Sequence, residues 1–464
     1  PLLDTKYFAD IYAQTITYSL FLASLNCNNP RKELNKKSAF DYLPESFYLI
    51  RELFHQLEMF PTEIVWAIDE IISILKVTDF ASIRKEFSFN STKSLYHTED
   101  DEEAQDWRDP YIYFYEDFLR HYDKLLRELK GVYYTPEPIV SFIVNSIEAV
   151  LKEQLEIKDG LINSKLTLLD FATGTGTFLL QSFKQAIEQA EKLGDKHFVN
   201  KVLNDQIISN FYGFELLLAP YIIAHLKISE FFKDQGYSLD KGKRLNIFLT
   251  NTITNNEPKP FPIMPNLSKE GKEANRIKNK DVLVILGNPP YSVFSENKNQ
   301  WIDDLFDDYK PSNEKKWNPD DYMRFIRFAQ WKMDNVEEGI VGIITNNSFL
   351  DGITHVNMRK QLLNTFDQLY ILNLHGNSIK KEKDENVFDI RVGVSICIFI
   401  KSKKLKDNKG VFYFSTLENG FNKRIEKFKF LLSNNIFTIK WAKLVTEDNY
   451  SWFVIKRLIK DEKY

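Results

Sequence analysis

The chain is poor in the residues that build disulfide frameworks and metal sites. Its 464 residues include two cysteines, Cys27 and Cys397, which lie far apart. Two distant thiols cannot form a disulfide framework or a zinc cluster, and they suit a reducing cytoplasm. The seven histidines are scattered, without an H-x-x-x-H or Cys/His pair. We therefore expect no metal ion.

Long apolar runs and a strong charge of one sign are also missing. No apolar run is long enough to span a bilayer, and no signal peptide is visible, so we expect no membrane partner. The formal net charge is only -4. A DNA-binding face would have to be a local patch, so overall charge neither supports nor excludes nucleic acid. The chain begins at Pro1 without methionine, which is compatible with a fragment of a longer protein.

A helical pattern occupies the first part of the chain. Apolar residues recur at three- and four-residue spacing in YFADIYAQTITYSLFLASL, FPTEIVWAIDEIISILKV and DPYIYFYEDFLRHYDKLLREL. The total length suits two or three domains. We therefore predict an N-terminal helical domain over residues 1–130.

Apolar strands alternate with helices after Gly131. The predicted strands are LTLLDF, NFYGFEL, RLNIFLTNT, DVLVILGNPPY and IVGIITNN. Such alternation is typical of an α/β fold with a parallel, doubly wound sheet. FDQLYILNL and GVSICIFIK have no helix between them and are predicted to form a terminal antiparallel pair. We place this domain at residues 131–402 and treat residues 403–464 as a C-terminal connection.

Two polar stretches interrupt the series, from Thr254 to Lys280 and from Ser292 to Asp320. Both are rich in Asn, Lys, Asp, Glu and Pro, which favours solvated loops. The second directly follows GNPPY, so alternatively it covers a site or contacts DNA.

A glycine-containing turn follows the first strand, in LLDFATGTGTFLL. Asp170 ends the strand, and Gly174 and Gly176 allow the backbone to approach a ligand. The third glycine of the dinucleotide motif G-x-G-x-x-G is missing. Glu215 ends the second strand, where an acidic residue can hold ribose hydroxyls. These features suit S-adenosylmethionine as well as a dinucleotide.

The turn GNPPY follows the fourth strand, at the edge where open α/β sheets bind ligands. Pro289 and Pro290 stiffen it, so the Asn288 side-chain oxygen and the Pro289 carbonyl are two acceptors aimed at one point. They can hold both hydrogens of an NH₂ group and offset the positive charge that grows as its nitrogen attacks a methyl group. Tyr291 provides a ring that can stack on a base.

These motifs and their order resemble the gamma class of DNA adenine-N6 methyltransferases. The resemblance implies a Rossmann-like fold, S-adenosylmethionine as cofactor and a flipped-out adenine of double-stranded DNA as substrate. YYTPEPIV resembles the first cofactor motif, which places Thr135 and Pro136 near the methionine part. NVFDIRVGVSICIFIK resembles the late motif whose aromatic residue helps to hold the base, which points to Phe388. The alternative for Phe388 is an ordinary core residue.

The resemblance also implies a set of residues that line the cofactor. Glu215 would hold the ribose, and Asn251 or Thr252, in LTNT, would reach the adenine of the cofactor. Phe171 stands where such motifs often have proline, and Asn251 where other classes have aspartate. The set comprises Tyr134, Thr135, Pro136, Asp170, Ala172, Thr173, Gly174, Gly176, Thr177, Phe178, Glu215, Asn251, Thr252 and Asn288.

Longer passages resemble the methyltransferase region of type ISP restriction-modification enzymes. They include FADIYAQTITYSLFLASL, HYDKLLRELKGVYYTPEPIVSFIV, DDYMRFIRFAQW and ITNNSFLDG, and run from about Phe8 to the C-terminus. Those enzymes join nuclease, translocase, methyltransferase and target recognition domains in one polypeptide. The resemblance implies that motor and nuclease precede this sequence and that target recognition lies mostly after Tyr464.

Two other functions stay open. NPPY also occurs in enzymes that methylate a protein glutamine or an exocyclic amine of RNA, which are generally smaller and lack a long helical N-terminal segment. A degenerate methyltransferase fold could alternatively serve as a DNA-binding module. The presence of the glycine turn, Glu215 and the complete Asn-Pro-Pro-Tyr sequence argues against degeneracy.

Overall fold

A computed structural model describes residues 5–43, 47–55, 62–87, 135–255, 265–291, 299–311, 319–445 and 452. Within them, the α-helices are α1 (Thr5–Asn26), α2 (Pro30–Glu33), α3 (Tyr48–His55), α4 (Thr62–Val77), α5 (Phe80–Phe87), α6 (Glu137–Glu153), α7 (Thr177–Glu191), α8 (Lys196–Val202), α9 (Ile208–Asn210), α10 (Leu218–Asp234), α11 (Pro265–Asn279), α12 (Gln300–Phe306), α13 (Asp321–Asp334), α14 (Val356–Thr365) and α15 (Arg424–Leu432). The strands are β1 (Leu168–Asp170), β2 (Phe211–Glu215), β3 (Asn246–Leu249), β4 (Val284–Gly287), β5 (Gly339–Asn346), β6 (Gln368–His375), β7 (Val394–Lys401), β8 (Gly410–Ser415) and β9 (Ala442–Leu444).

These strands form one sheet in the order β3-β2-β1-β4-β5-β7-β6-β8-β9. Strands β3, β2, β1, β4 and β5 run parallel to one another. Strand β7 is antiparallel to both of its neighbours, β5 and β6. The predicted Rossmann-like, mostly parallel sheet is therefore confirmed.

Both faces of the central strands β1, β4 and β5 are buried, which explains why these strands read as continuous apolar runs. Successive side chains of a strand point to opposite faces. Leu168 thus joins the hydrophobic cluster on the face of α6, α7 and α10, while Leu169 joins the cluster on the other face, beside α13. Ile340 and Val341 of β5 divide in the same way.

The N-terminal region is helical wherever it is described, from α1 to α5, as its apolar spacing predicts. Helix α1 packs against α10, and its residues Leu20 and Ala23 are fully buried. The predicted helix in DPYIYFYEDFLRHYDKLLREL lies outside the described residues. In the described parts of the chain, no helix is long and apolar enough to cross a membrane.

Two details of the sequence interpretation are wrong. The polar stretches are not simply loops, because α11 lies in the first and α12 in the second. Each helix buries only a few side chains, such as Ile277 and Ile302, so its apolar signal is weak. The antiparallel pair β6–β7 is not terminal either, because β8 and β9 extend the sheet beyond β6. The proposed boundary after residue 402 stays a prediction.

Candidate active site

Glu215 joins the end of β2 to the glycine turn that follows β1. Its Oε2 accepts a hydrogen bond from the backbone N–H of Gly174 at 2.8 Å, and its Oε1 accepts one from Leu217 at 2.7 Å. The N–H of Thr173 donates to the Phe214 carbonyl at 2.9 Å. Burial raises the pKa of Glu215 to about 7, although the backbone donors oppose this rise. The carboxyl group therefore changes protonation near neutral pH.

Asp170 presents an unsatisfied oxygen beside the same turn. Its side chain is fully buried, and Oδ1 accepts a hydrogen bond from the Ala172 N–H at 3.2 Å. Among the described residues, its Oδ2 has no hydrogen-bond partner, and the buried Oγ1 of Thr175 has none either. Burial raises the pKa of Asp170 well above its ordinary value, and the nearby Glu215 adds to the rise. Donors on a bound ligand would satisfy such oxygens, which otherwise destabilise the fold.

Backbone conformation explains the glycines of this turn. Gly174 has φ +54° and open space where a Cβ would lie. Gly176 has φ +81°, and its Cβ would lie 3.0 Å from the Ala224 Cβ in α10. Both conformations favour glycine. Thr177 begins α7 directly after the turn. The ring of the next residue, Phe178, is buried in the hydrophobic core and so anchors the turn to the core.

The loop after β3 is held against the glycine turn. Thr252 Oγ1 donates to the Phe171 carbonyl at 2.6 Å. Lys278 of α11 is buried, and its Nζ donates to the carbonyl oxygens of Asn251 and Thr254 at 2.7 and 2.8 Å. Burial lowers the pKa of Lys278 to about 8. The loop proposed to contact the cofactor's adenine therefore has a fixed backbone.

The turn GNPPY leaves β4 directly beside β1. Gly287 has φ +143°, and a Cβ there would lie 2.9 Å from the Asp170 Oδ1. Only glycine allows this approach without displacing Asp170. Pro289 is buried and Pro290 is half-buried. The turn GNPPY and the end of β1 thus share one edge of the sheet.

Asn288 is held from two sides. Its Nδ2 donates to the Thr135 Oγ1 at 3.0 Å, and its Oδ1 accepts a hydrogen bond from the Tyr291 hydroxyl at 2.7 Å. That hydroxyl also lies 3.3 Å from the Ile344 carbonyl oxygen. Thr135, predicted beside the methionine part of a cofactor, therefore contacts the turn GNPPY, next to Pro136 at the start of α6.

The remaining predicted residues have different positions. Tyr134 lies outside the described residues. Phe388 lies in the loop between β6 and β7, at the same sheet edge as Asn288, and its ring is 5% exposed within a hydrophobic cluster. Among the described residues, no group of three or more His, Cys, Asp or Glu side chains could hold a metal ion.

Sequence reasoning did not identify Thr175 or Lys278. Thr175 lies between the two glycines of the turn, so its position in the motif could have suggested a ligand contact. Lys278 follows Ile277 in a polar stretch, and nothing in that stretch indicates that its ammonium group is buried.

Three solved structures have the same fold over nearly the whole chain. They are a DrdV–DNA complex (23% identity, TM-score 0.70), the ATP-dependent type ISP restriction-modification enzyme LlaBIII bound to DNA (23%, 0.72) and a nuclease-deletion mutant of the type ISP enzyme LlaGI with a DNA substrate mimic (22%, 0.72). They cover 96%, 97% and 97% of this chain. The chain spans only 40%, 29% and 35% of their lengths, respectively.

A comparison with the sequences of curated proteins gives no match. The family model described as N-6 DNA Methylase matches residues 108–464, which is more than half of the chain. The turn GNPPY, the glycine turn and the acidic end of β2 all lie within this range. The chain therefore belongs to the N-6 DNA Methylase family.

Proposed function

We propose that this chain transfers a methyl group from S-adenosylmethionine to the exocyclic N6 of a flipped-out adenine in double-stranded DNA. The observation that carries the proposal is the position of Asn288, at the end of β4 and beside the turn that Asp170 and Glu215 border. Family membership supports the same reaction. It implies a methyl donor, and the residues around the turn favour S-adenosylmethionine.

The unsatisfied polar groups of the turn fit such a cofactor. Glu215 would accept hydrogen bonds from the ribose hydroxyls. The buried oxygens of Asp170 and Thr175, which lack partners within the described part of the chain, would accept from other donors of the ligand. Asn251 and Thr252 would border the adenine ring of the cofactor. When bound, S-adenosylmethionine supplies a methyl group on a positively charged sulfur, which is a good leaving group.

The residues of the catalytic turn would orient and polarise the amino group. The Asn288 Oδ1 and the Pro289 carbonyl accept its two hydrogens and stabilise the positive charge that develops on nitrogen. Alignment of the reacting atoms is the other main contribution. The Tyr291 hydroxyl donates to Asn288 Oδ1 in this structure, and because an amide oxygen has two lone pairs, the second one is available to the adenine. The Tyr291 ring can then stack on the base.

Base flipping costs a few kcal/mol. Stacking on Tyr291 and Phe388 would recover about 1–3 kcal/mol per contact. The role of Phe388 requires that its buried ring border the pocket that receives the base.

The test is transfer of tritium from labelled S-adenosylmethionine to mixed DNA, followed by mass spectrometry of the nucleosides. We expect N6-methyladenine with the unchanged chain. Asn288→Ala should bind the cofactor with the same affinity, yet lose at least about a hundredfold in kcat, because it removes preorganised stabilisation of developing charge. Label in RNA or in protein glutamine, but not in DNA, would favour the alternative substrates instead.

The same proposal includes a role in restriction and modification, because the structures of similar fold include type ISP restriction-modification enzymes. Nuclease, translocase and target recognition domains would then be partners in a larger chain. Within this sequence we propose a helical domain at 1–130, the catalytic domain at 131–402 and, at 403–464, a connection whose β8 and α15 pack on the catalytic domain. We propose that the chain acts in the cytoplasm.

A further inference from the structure

The loop between β6 and β7, residues 376–393, is fixed by an extensive set of side-chain hydrogen bonds. It lies at the edge of the sheet that carries Asn288, because β7 begins opposite Asn346, the last residue of β5. The Asn347 N–H donates to the Gly393 carbonyl at 3.0 Å, which closes the end of the loop onto β5. Phe388 is in this loop.

Asn386 ties the two ends of the loop together. Its Nδ2 donates to the carbonyl oxygens of Gly376 and Val392 at 3.0 and 2.7 Å. Its Oδ1 accepts a hydrogen bond from the backbone N–H of Phe388 at 2.9 Å. Asn386 therefore fixes the backbone on the N-terminal side of the Phe388 side chain.

Arg424, the first residue of α15, fixes the other side. Its Nη2 donates to the Phe388 carbonyl at 3.2 Å and to the Asp389 carboxylate at 2.7 Å. Its Nε donates to the Asn386 carbonyl at 2.7 Å. Both backbone polar groups of Phe388 are thus held by side chains, one from within the loop and one from α15.

A buried ion pair anchors α15 to the same loop. The side chains of Lys427 and Asp384 are fully buried, with 2.5 Å between Nζ and Oδ2. Lys427 also donates to the carbonyl oxygens of Leu374 and Glu385 at 2.7 and 2.5 Å. A buried ion pair is weak evidence for stability, since desolvation opposes it, but it permits few geometries. The register between α15 and the loop is therefore tightly defined.

We propose that Arg424 is a positioning residue, acting together with Asn386, that holds Phe388 as a wall of the adenine pocket. This inference rests on the proposed function. It makes α15, which lies beyond residue 402, a working part of the catalytic unit. The aromatic ring would meet the flipped base in a preset orientation, so little ordering would be needed when the base arrives.

Arg424 is a better position for the test than Lys427, because its side chain is 39% exposed and its replacement leaves no buried charge unpaired. Arg424→Met removes the guanidinium donors and keeps an apolar chain. Arg424→Lys keeps the positive charge but loses the planar guanidinium group with its several N–H donors. Its loop exchange and kcat should therefore lie between those of Arg424→Met and those of the unchanged chain. Lys403→Met is the matched control, since Lys403 is an exposed cation paired with Glu337 away from the loop.

Two measurements are made on each variant of the full chain. Hydrogen exchange followed by mass spectrometry reports the protection of residues 376–393. Tritium transfer to mixed DNA gives kcat and the KM for S-adenosylmethionine. For Arg424→Met we expect faster exchange in the loop and a fall in kcat of about tenfold to a hundredfold, with the cofactor KM changed less than about twofold.

Unchanged hydrogen exchange in Arg424→Met would show that Arg424 does not hold the loop of residues 376–393. Faster exchange with unchanged kcat would show that Arg424 holds the loop but has no part in the reaction. If the unchanged chain makes no N6-methyladenine, the proposed function and the pocket role of Phe388 are both contradicted, while the exchange comparison still decides whether Arg424 holds the loop.

Discussion

The hydroxyl of Tyr291 donates to the oxygen of Asn288 that the reaction needs, so this side chain has two possible roles. With the hydroxyl in this position, Asn288 stays oriented before DNA arrives, because Thr135 binds the other end of the amide. With an adenine in place, the ring of Tyr291 is the useful part. The two roles use different atoms and can be separated by substitution.

Tyr291→Phe keeps the ring and removes the hydroxyl, whereas Tyr291→Ala removes both. We expect Tyr291→Phe to keep kcat/KM for DNA within about threefold, because stacking is preserved. Tyr291→Ala should lose about fivefold to 150-fold, which corresponds to the ~1–3 kcal/mol of one stacking contact. Steady-state tritium transfer measures both. Equal losses in the two variants would mean that the hydroxyl itself takes part in turnover.

The carboxyl group of Glu215 predicts a pH dependence of cofactor binding. Burial raises its pKa from 4.5 to about 7 without a bound ligand, so the ionised fraction rises from roughly a tenth at pH 6 to roughly nine-tenths at pH 8. The ionised form is the better acceptor for ribose hydroxyls. The dissociation constant for S-adenosylmethionine should therefore fall by up to about tenfold over this range. Isothermal titration calorimetry at several pH values measures it.

Glu215→Gln is the control for this dependence. It keeps the size of the side chain and removes the titration, so its affinity should be lower and nearly constant across the same range. The stability of the fold should change with pH in the opposite direction to the cofactor affinity. A folded-state pKa above the unfolded value gives a contribution that is complete below about pH 4.5 and is lost as the pH rises through about 7. A wild-type affinity without pH dependence would contradict the role of Glu215.

At the scale of single elements, helix α11 contributes to the site through the buried ammonium group of Lys278. Lys278 binds the carbonyl oxygens of the loop after β3. Lys278→Met would leave those oxygens without their partner, at about 1–3 kcal/mol each. We expect the affinity for S-adenosylmethionine to fall by about tenfold or more, since Asn251 and Thr252 lose their fixed backbone.

Lys272→Met is a matched control for Lys278, because Lys272 is exposed on the same helix. Calorimetric titration gives the cofactor affinity, and thermal melting gives the stability of each variant. If Lys278→Met lowers the melting temperature but leaves cofactor affinity intact, α11 is only a structural support.

The strands of the sheet centre could be predicted from sequence because they are buried on both faces and therefore consist of apolar runs. Strand β8 could not, since its buried residues alternate with half-buried ones such as Phe414, which stacks on Phe430 of α15 and packs against Trp441. Helix α11 was missed for a similar reason. Its buried positions include Glu270 and Lys278, which read as solvent-facing residues.

The site itself could be predicted in part. One parallel strand ends in a glycine turn and another ends in GNPPY, so both sets of residues are expected at the same edge of the sheet. This expectation does not require the rest of the fold to be known. Hydrogen bonds such as that between Thr135 and Asn288 could not be predicted, because the two residues are 153 positions apart. Their contact depends on how α6 packs beside β5, which no local pattern contains.

At the scale of the whole molecule, the sheet continues across the predicted boundary after residue 402. Strand β8 pairs with β6, and α15 packs against α6. The Ile436 N–H donates to the buried Ser146 hydroxyl of α6 at 3.0 Å. Helix α6 begins next to Thr135, so the C-terminal segment and the segment proposed to bind the cofactor both pack on one helix.

This arrangement predicts that residues 135–445 unfold as one unit whose stability includes the cofactor. Leu431 of α15 is fully buried, and Leu431→Ala should destabilise the fold by about 2–5 kcal/mol. Its neighbour Leu432 is 42% exposed, so Leu432→Ala should have little effect. Differential scanning calorimetry should give one transition from this region, lowered by Leu431→Ala and raised by S-adenosylmethionine in both variants. The contrary result is two transitions, one raised by S-adenosylmethionine and the other lowered by Leu431→Ala but unaffected by the cofactor. In that case residues 403–445 fold separately, and α15 cannot set the position of Phe388.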